Sequence, residues 1–129
     1  MQALRVPMLL VALASCAPAP RGADTAAAPL GATRACLDLD RVASRRPVGP
    51  RAILFESAGQ AWRNDLPEAC PGLERPGTFT TLAFEPKTGP LCRNDFVRVV
   101  DANQLGTLRL ESFPRCRLGD FTRVARPNR

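Results

Sequence analysis

The sequence contains no histidine and no tyrosine, and Lys87 is its only lysine. Histidine is the commonest general base and supplies the imidazole metal ligand, so its absence excludes serine-histidine and cysteine-histidine catalytic sites. Lys87 lies in a turn rich in proline and glycine, where solvent surrounds the amine, which argues against a Schiff-base role. Carboxylates are therefore the only side chains left for acid-base catalysis.

The sequence also lacks an apolar run long enough to cross a bilayer. Its longest run, Val6 to Ala14, would extend only ~14 Å as a helix, about half the thickness of the hydrocarbon core. The run follows a single cation, Arg5, and precedes small residues. This three-part pattern is typical of a secretory signal peptide, which is removed from the mature protein.

The run ends in an aliphatic residue, two small residues and a cysteine: Leu13, Ala14, Ser15 and Cys16. This order resembles the lipobox of bacterial lipoproteins. The resemblance implies that residues 1–15 are cleaved, that the Cys16 thiol receives a diacylglycerol, and that the new amino terminus is usually acylated. Two or three acyl chains make membrane attachment effectively permanent. The alternative is an unlipidated secreted protein with a chance cysteine near its cleavage site.

The residues after Cys16 refine the predicted location and domain organisation. In lipoproteins an aspartate at the next position commonly retains the protein at the inner membrane, so Ala17 favours the outer membrane, facing the periplasm. Nucleic acid is not an expected partner there. Cys16 and residues 17–35, which are small and proline-rich without periodicity, are predicted to form a lipidated linker. Residues 36–129 suffice for one small domain.

Five cysteines are present, and lipidation of Cys16 leaves four in the domain. In an oxidising compartment an even number predicts two disulfides, for which three connectivities exist. We favour the nested pairing of Cys36 with Cys116 and Cys70 with Cys92, because it ties the domain ends together and closes an internal hairpin. A four-thiolate zinc site is the alternative, but it lacks closely spaced cysteine pairs. We predict no metal and no cofactor.

Polar and apolar residues alternate more often than they repeat with helical spacing, which predicts β-strands. Proline and glycine separate the runs at the spacing of short antiparallel strands. We predict a mainly β domain, a small antiparallel barrel or sandwich of about six short strands. The predicted strands are 51–56 and 61–66, joined as a hairpin through residues 57–60, then 78–85, 96–101, 108–111 and 121–124.

Apolar residues on one face of these strands form the predicted core. Trp62 is the ambiguous member, because an indole can fill a core or form a binding surface, and core packing is favoured. The predicted core residues are Ile53, Phe55, Trp62, Leu66, Leu82, Phe84, Val97, Val99, Leu108, Leu110, Phe121 and Val124.

Short motifs around the four cysteines resemble a family of small exported bacterial proteins, often lipoproteins, that is known only as a domain of unknown function. The resemblance covers most of residues 36–125 and rests mainly on cysteine order. It implies an exported compartment and disulfides, and it implies no catalytic residue and no ligand. The motifs are Cys36, Trp62-Arg63-Asn64, Cys70-Pro71-Gly72-Leu73, Leu91-Cys92-Arg93-Asn94-Asp95 and Cys116-Arg117-Leu118-Gly119.

Two carboxylates, Asp38 and Asp40, alternate along the chain, so on a strand both would project from one face. Paired acids can act as general acid and base or bind calcium. The alternative is a solvated strand face opposite Leu37 and Leu39. We favour that alternative because neither a third ligand nor a glycine-rich loop accompanies the pair.

Positive charge dominates, with a formal net charge of +6 at pH 7. Guanidinium groups bind phosphate through two hydrogen bonds, so a C-terminal arginine cluster is compatible with contact with anionic lipid headgroups or lipopolysaccharide phosphates. We favour the alternative, a generally basic surface. The cluster consists of Arg115, Arg117, Arg123, Arg126 and Arg129. Its members Arg115, Arg117 and Arg123, together with Trp62, form the candidate interaction surface.

Two functional classes follow from these features. The first is a membrane-anchored envelope lipoprotein with a non-enzymatic binding or structural role, whose partner is an envelope protein or an anionic lipid. The second is a small carboxylate-dependent envelope hydrolase using Asp38 and Asp40. Burial of the two acids together in a cleft would favour the hydrolase, whereas an exposed apolar patch around Trp62 would favour the binding protein.

Overall fold

The computed structural model of the chain describes residues 29–75 and 79–128. These residues form ten β-strands and three short 3₁₀ helices, with no α-helix among them. The prediction of a mainly β domain is confirmed. Residues 1–28, which include Cys16, lie outside the described ranges, as does Arg129. No helix in the described ranges is long and apolar enough to cross a membrane.

The strands are short, and every pairing between neighbours is antiparallel. They are β1 (Pro29–Arg34), β2 (Cys36–Asp38), β3 (Val42–Pro47), β4 (Ala52–Ser57), β5 (Gln60–Asp65), β6 (Thr80–Glu85), β7 (Pro90–Cys92), β8 (Phe96–Asp101), β9 (Arg115–Arg117) and β10 (Phe121–Val124). The 3₁₀ helices are Leu39–Arg41, Ala102–Gln104 and Leu110–Ser112. Of the strands absent from the prediction, β2, β7 and β9 have only three residues, too few to show alternation, and β3 is mostly exposed and so has no apolar face to reveal it.

The predicted hairpin is confirmed in β4 and β5. Its strands pair through Ser57 and Gln60, and the turn consists of Ala58 and Gly59, whose φ angles are 50° and 74°. A two-residue turn with both residues in the left-handed region matches the right-handed twist of the strands that it joins. Glycine at the second position makes this conformation inexpensive.

The strands form three sheets whose apolar faces share one core. The order is β1-β10-β5-β4-β3 in the largest sheet, β6-β8-β9 in the second and β2-β7 in the smallest. Phe55 of the largest sheet lies 5.6 Å from Phe84 of the second and 5.5 Å from Phe121, measured between ring centroids. Contacts between tilted rings at these distances stabilise the junction of the sheets beyond the burial of apolar area.

Most of the predicted core is confirmed. The members in the main cluster are Ile53, Phe55, Trp62, Leu66, Phe84, Val97, Val99 and Phe121, with Leu82 packed against it. Val124 is buried in a second small cluster with Leu54 and Ala61, on the opposite side of the largest sheet. Leu108 was wrongly placed in the core, because it is 42% exposed. Leu110 is only partly buried.

The predicted strand at 108–111 is wrong. Leu110 begins a 3₁₀ helix instead, and the preceding residues form local turns in which Leu108 donates its backbone N–H to the Gln104 carbonyl at 2.7 Å. The leucines at 108 and 110 alternate with polar residues as in a strand. However, hydrogen bonds between backbone groups three or four residues apart occupy this segment, so these groups cannot pair with a neighbouring strand.

The predicted nested disulfides are also wrong. Cys36 is bonded to Cys92, and Cys70 is bonded to Cys116. The first pair follows from register, because Cys36 of β2 lies directly opposite Cys92 of β7. The second links the segment after β5 to β9. Two disulfides are thus confirmed, but they interleave along the chain rather than nest.

The predicted linker extends too far toward the domain. Its last residues form β1, in which Arg34 pairs with Phe121 and Pro29 with Val124 of β10. Alternation is weak in this small-residue segment, so composition alone suggested an unpaired chain. Residues 17–28 of the predicted linker lie outside the described ranges.

A buried amide joins the largest sheet to the connection between β9 and β10. Asn64, which is fully buried, donates from Nδ2 to the Gly119 carbonyl at 2.8 Å and accepts at Oδ1 from the Gly119 N–H at 2.9 Å. These two reciprocal hydrogen bonds pair the amide donor and the amide acceptor of Asn64 inside the core. A Cβ added at Gly119 would overlap the carbonyl oxygen of Asp65. The close backbone approach therefore requires glycine.

We predict that Gly119→Ala lowers the free energy of unfolding by about 1–3 kcal/mol, because either the Asn64 bonds or the β5 backbone must shift. Gly106→Ala is the matched control, since a Cβ there meets nothing within 4 Å, and we expect a change within about 0.5 kcal/mol. Urea unfolding of both variants provides the measurement. Equal stabilities would show that Gly119 is not sterically constrained.

Candidate functional site

A groove of about 540 Å³ lies between β9 and the loop that follows β5. We call it the Arg115 groove. One wall comes from the loop and the other from β8, β9 and the residue before β9. Its lining residues are Pro67, Glu68, Ala69, Pro71, Phe96, Pro114, Arg115, Cys116 and Arg117. The lining combines an apolar surface of three prolines and an aromatic ring with two guanidinium groups.

Hydrogen bonds and a disulfide hold the loop wall in place. Leu66 and Cys70 donate their backbone N–H groups to the carbonyls of Arg51 at 2.7 Å and Pro50 at 2.9 Å. The Arg51 guanidinium in turn donates to the Pro67 carbonyl at 2.6 Å. Cys70 is covalently bonded to Cys116, with the two Cα atoms 5.7 Å apart. The groove is therefore preformed, and a ligand would not have to order this wall.

Arg115 is held in one orientation on the other wall. Its guanidinium carbon lies 3.5 Å from the centroid of the Phe96 ring, a cation-π contact. Its Nη2 lies 3.0 Å from Oε2 of Glu85, which ends β6. About half of the Arg115 side chain is still exposed. Fixing the guanidinium in advance reduces the entropy lost when it binds an anion.

Glu85 connects Arg115 to a second arginine. Arg98 of β8 donates from Nε to Oε1 of Glu85 at 2.9 Å and from Nη1 to the Phe113 carbonyl at 2.6 Å. The Arg98 hydrogen bond, assisted by the charges of Arg115 and Arg98, holds the pKa of Glu85 below its ordinary value, although desolvation opposes the shift. Glu85 thus remains ionised and keeps both guanidinium groups in place.

Arg117 supplies the available charge of the groove. It is exposed and lies opposite Phe96 in the β8-β9 register. Its guanidinium has no ion-pair or hydrogen-bond partner among residues 29–75 and 79–128. Glu68 on the loop wall likewise forms no ion pair within those ranges. A carboxylate or phosphate entering the groove would meet Arg117 without first displacing an internal partner.

The predicted interaction surface is not a single surface. Arg115 and Arg117 lie together in the groove, whereas Arg123 lies on β10 in the largest sheet, opposite Trp62. Trp62 is 2% exposed, so it lies in the core as the favoured prediction has it, and it is not available to an interaction surface. Arg126 is exposed beyond β10. The structure therefore keeps two of the four predicted residues at one site.

The paired-carboxylate hypothesis is not supported by the positions of Asp38 and Asp40. Asp38 ends β2 and Asp40 lies in the following 3₁₀ helix, so the prediction of a shared strand face is wrong. Asp38 accepts a hydrogen bond from the Asp40 N–H at 3.1 Å and pairs with Arg41 at 3.5 Å. Both acids are exposed. Asp38 serves as a helix cap, which explains its position without catalysis.

The described part of the chain offers little other chemistry. Nowhere in it do three histidine, cysteine, aspartate or glutamate side chains group so as to hold a metal ion. The lining of the Arg115 groove contains one carboxylate, Glu68, and its cysteine is oxidised. A smaller groove of about 260 Å³ has Arg45 and Lys87 beside Leu82 and Leu110. The Arg45 guanidinium lies 5.4 Å from the Phe84 ring centroid and forms no ion pair within the described ranges, whereas Arg115 lies closer to its ring and is also paired with Glu85.

Sequence reasoning missed Phe96, Glu85 and the three prolines of the groove. One signal was present for the arginines: in Arg115-Cys116-Arg117 the cysteine must face the core, which places both arginines on the outer face of a strand. No comparable signal marked the prolines, because contacts between residues far apart in sequence, among them the Cys70 to Cys116 bond, place Pro67 and Pro71 at the groove.

Comparison with known proteins gives no match to a protein-family model, to a curated protein or to a solved structure. The resemblance to lipoproteins and to small exported cysteine-containing proteins therefore stays a prediction. Any functional conclusion rests on the residues of this chain.

We predict that Glu85→Gln lowers the free energy of unfolding by on the order of 1 kcal/mol at pH 7, since Glu85 is 36% exposed and solvent screens its ion pairs. A carboxyl group whose pKa is lower in the folded than in the unfolded state stabilises the fold at pH values above the unfolded-state pKa, about 4.3. This contribution is lost as the pH falls through the folded-state pKa. The difference between the proteins should therefore vanish in acid.

Urea unfolding from pH 7 to pH 2.5 measures this difference. Glu74→Gln is the matched control, because Glu74 is exposed and forms no ion pair within the described ranges, and its effect should stay small throughout. A Glu85→Gln deficit that persisted unchanged at pH 2.5 would contradict the electrostatic origin of the effect.

Proposed function

We propose that the mature chain begins at Cys16 and is a membrane-anchored envelope lipoprotein with a non-enzymatic binding role. The aliphatic-small-small-cysteine order after a short apolar run supports lipidation of Cys16. The Cys36 to Cys92 and Cys70 to Cys116 disulfides are consistent with an oxidising compartment outside the cytosol. Ala17 supports outer-membrane attachment facing the periplasm.

The observation that carries the binding role is the Arg115 groove. A preoriented guanidinium at Arg115, and one at Arg117 that has no partner within residues 29–75 and 79–128, favour a partner with carboxylate or phosphate groups. The prolines and Phe96 favour a partner that also has apolar surface. An acidic segment of an envelope protein satisfies both requirements, whereas a lipid headgroup satisfies only the first.

The hydrolase alternative gains nothing from the positions of Asp38 and Asp40, because both are exposed and Asp38 caps the following 3₁₀ helix. The finer expectation of a barrel or sandwich also remains a proposal. The shared core of the two larger sheets supports a sandwich-like arrangement, since Phe55 and Phe84 come from different sheets.

We predict that Cys16→Ser releases nearly all of the protein from the membrane fraction, because the serine hydroxyl cannot carry the thioether-linked diacylglycerol and the domain then has no acyl chain. Fractionation followed by immunoblotting measures the release. Ser15→Ala is the matched control, since it keeps a small residue before Cys16 and should remain membrane-bound. Unchanged partitioning of Cys16→Ser would refute lipid anchorage.

A further inference from the structure

An open strand edge lines the Arg115 groove. β9 is the last strand of the three-stranded sheet, paired with β8 on one side only. An edge strand has backbone N–H and C=O groups that no neighbouring strand satisfies. The space beside this edge is the groove itself, because Arg115, Cys116 and Arg117 line it from one side and Pro67 to Pro71 from the other.

The ladder between β8 and β9 determines which backbone groups face the groove. Leu118, directly after β9, donates its N–H across to the Asp95 carbonyl at 2.8 Å. Backbone groups alternate in direction along a strand, so the groups of Cys116 also point toward β8 while those of Arg115 and Arg117 point away from it. In the described ranges, no backbone hydrogen bond of a turn or loop uses the N–H or C=O of Arg115 or Arg117.

The side chains of β9 alternate between the inner and the outer face of the sheet. Cys116 is 9% exposed and its disulfide belongs to the core, so it faces inward. Arg115 and Arg117 project from the outer face, beside Phe96. A strand added at this edge would place every second side chain next to a guanidinium, and the intervening ones next to the disulfide and the prolines.

From this arrangement we infer that the partner is an extended acidic segment that adds to β9 as a further, antiparallel strand, in which the residues directly opposite Arg115 and Arg117 exchange backbone hydrogen bonds with them. Acidic residues at alternate positions would pair with Arg115 and Arg117, with small or apolar residues between them. A second copy of β9 is a poor occupant, since arginines would then face arginines. The inference rests on the proposed binding role of the Arg115 groove, and it adds the partner's conformation and charge pattern.

Peptides methylated on backbone nitrogen separate strand addition from simple charge attraction. The probe is the acetylated and amidated pentapeptide Glu-Val-Glu-Val-Glu, titrated into the mature lipidated chain in non-ionic detergent. One analogue carries N-methyl groups on its glutamates, whose N–H groups would face β9. The other carries them on its valines, whose N–H groups would face solvent. Both analogues keep the charge of the parent.

We expect the valine-methylated analogue to bind within about threefold of the parent and the glutamate-methylated analogue at least about tenfold more weakly, because it loses the hydrogen bonds to β9. Amide hydrogen exchange at Arg115 and Arg117 should slow at least about tenfold with the parent bound. The matched peptide with lysine in place of glutamate should not bind.

The Arg117→Glu variant distinguishes failure of strand addition from failure of the proposed binding role of the groove. Equal binding of both methylated analogues, with binding of the parent still weakened by Arg117→Glu, would overturn strand addition and leave the binding role of the groove intact. Failure of the parent peptide to bind, or binding unaffected by Arg117→Glu, would overturn both. If short-chain phosphatidylglycerol displaced the parent and bound more tightly, the groove would be a headgroup site and strand addition would again be overturned.

Discussion

The disulfide between Cys70 and Cys116 is the constraint on which both the core and the Arg115 groove depend. It joins the segment after β5, which extends from the five-stranded sheet, to β9 of the three-stranded sheet. Its loop spans a sequence separation of 46 residues, for which chain-entropy models give about 4 kcal/mol of stabilisation. The same bond places the prolines of the loop opposite Arg115. A single covalent link thus stabilises the fold and shapes its most chemically specific surface.

Electrostatic pairing determines which arginines are available to a ligand. Arg98 is largely buried and is satisfied by Glu85 and the Phe113 carbonyl, so it acts as a support. Arg115 shares Glu85 with it but stays half exposed against Phe96, and Arg117 has no described partner. β9 therefore presents a supported guanidinium and an exposed one two residues apart, and this pair is the basis of the proposed recognition at the groove.

Local patterns in the sequence predicted local structure well. The β4-β5 hairpin is marked by two apolar runs and by the glycine after Ala58, where the turn requires a left-handed backbone, and β8 is marked by the alternation of Val97 and Val99 with Arg98. Disulfide connectivity was not predictable, because it depends on the register between β2 and the three-residue β7, which are distant in sequence. The groove was not predictable for the same reason, whereas the outward direction of Arg115 and Arg117 could have been read from the buried cysteine between them.

We propose that Arg115 and Arg117 form the binding surface of this domain. Arginine side-chain Nε–Hε signals followed by NMR during titration with the acidic pentapeptide test it most directly. Arg34 and Arg45, which lie over Trp62 and Phe84 outside the groove, are internal controls for non-specific charge attraction. We expect saturable shifts at Arg115 and Arg117 while the signals of Arg34 and Arg45 stay in place. Larger shifts at the two controls, or none at Arg117, would contradict it.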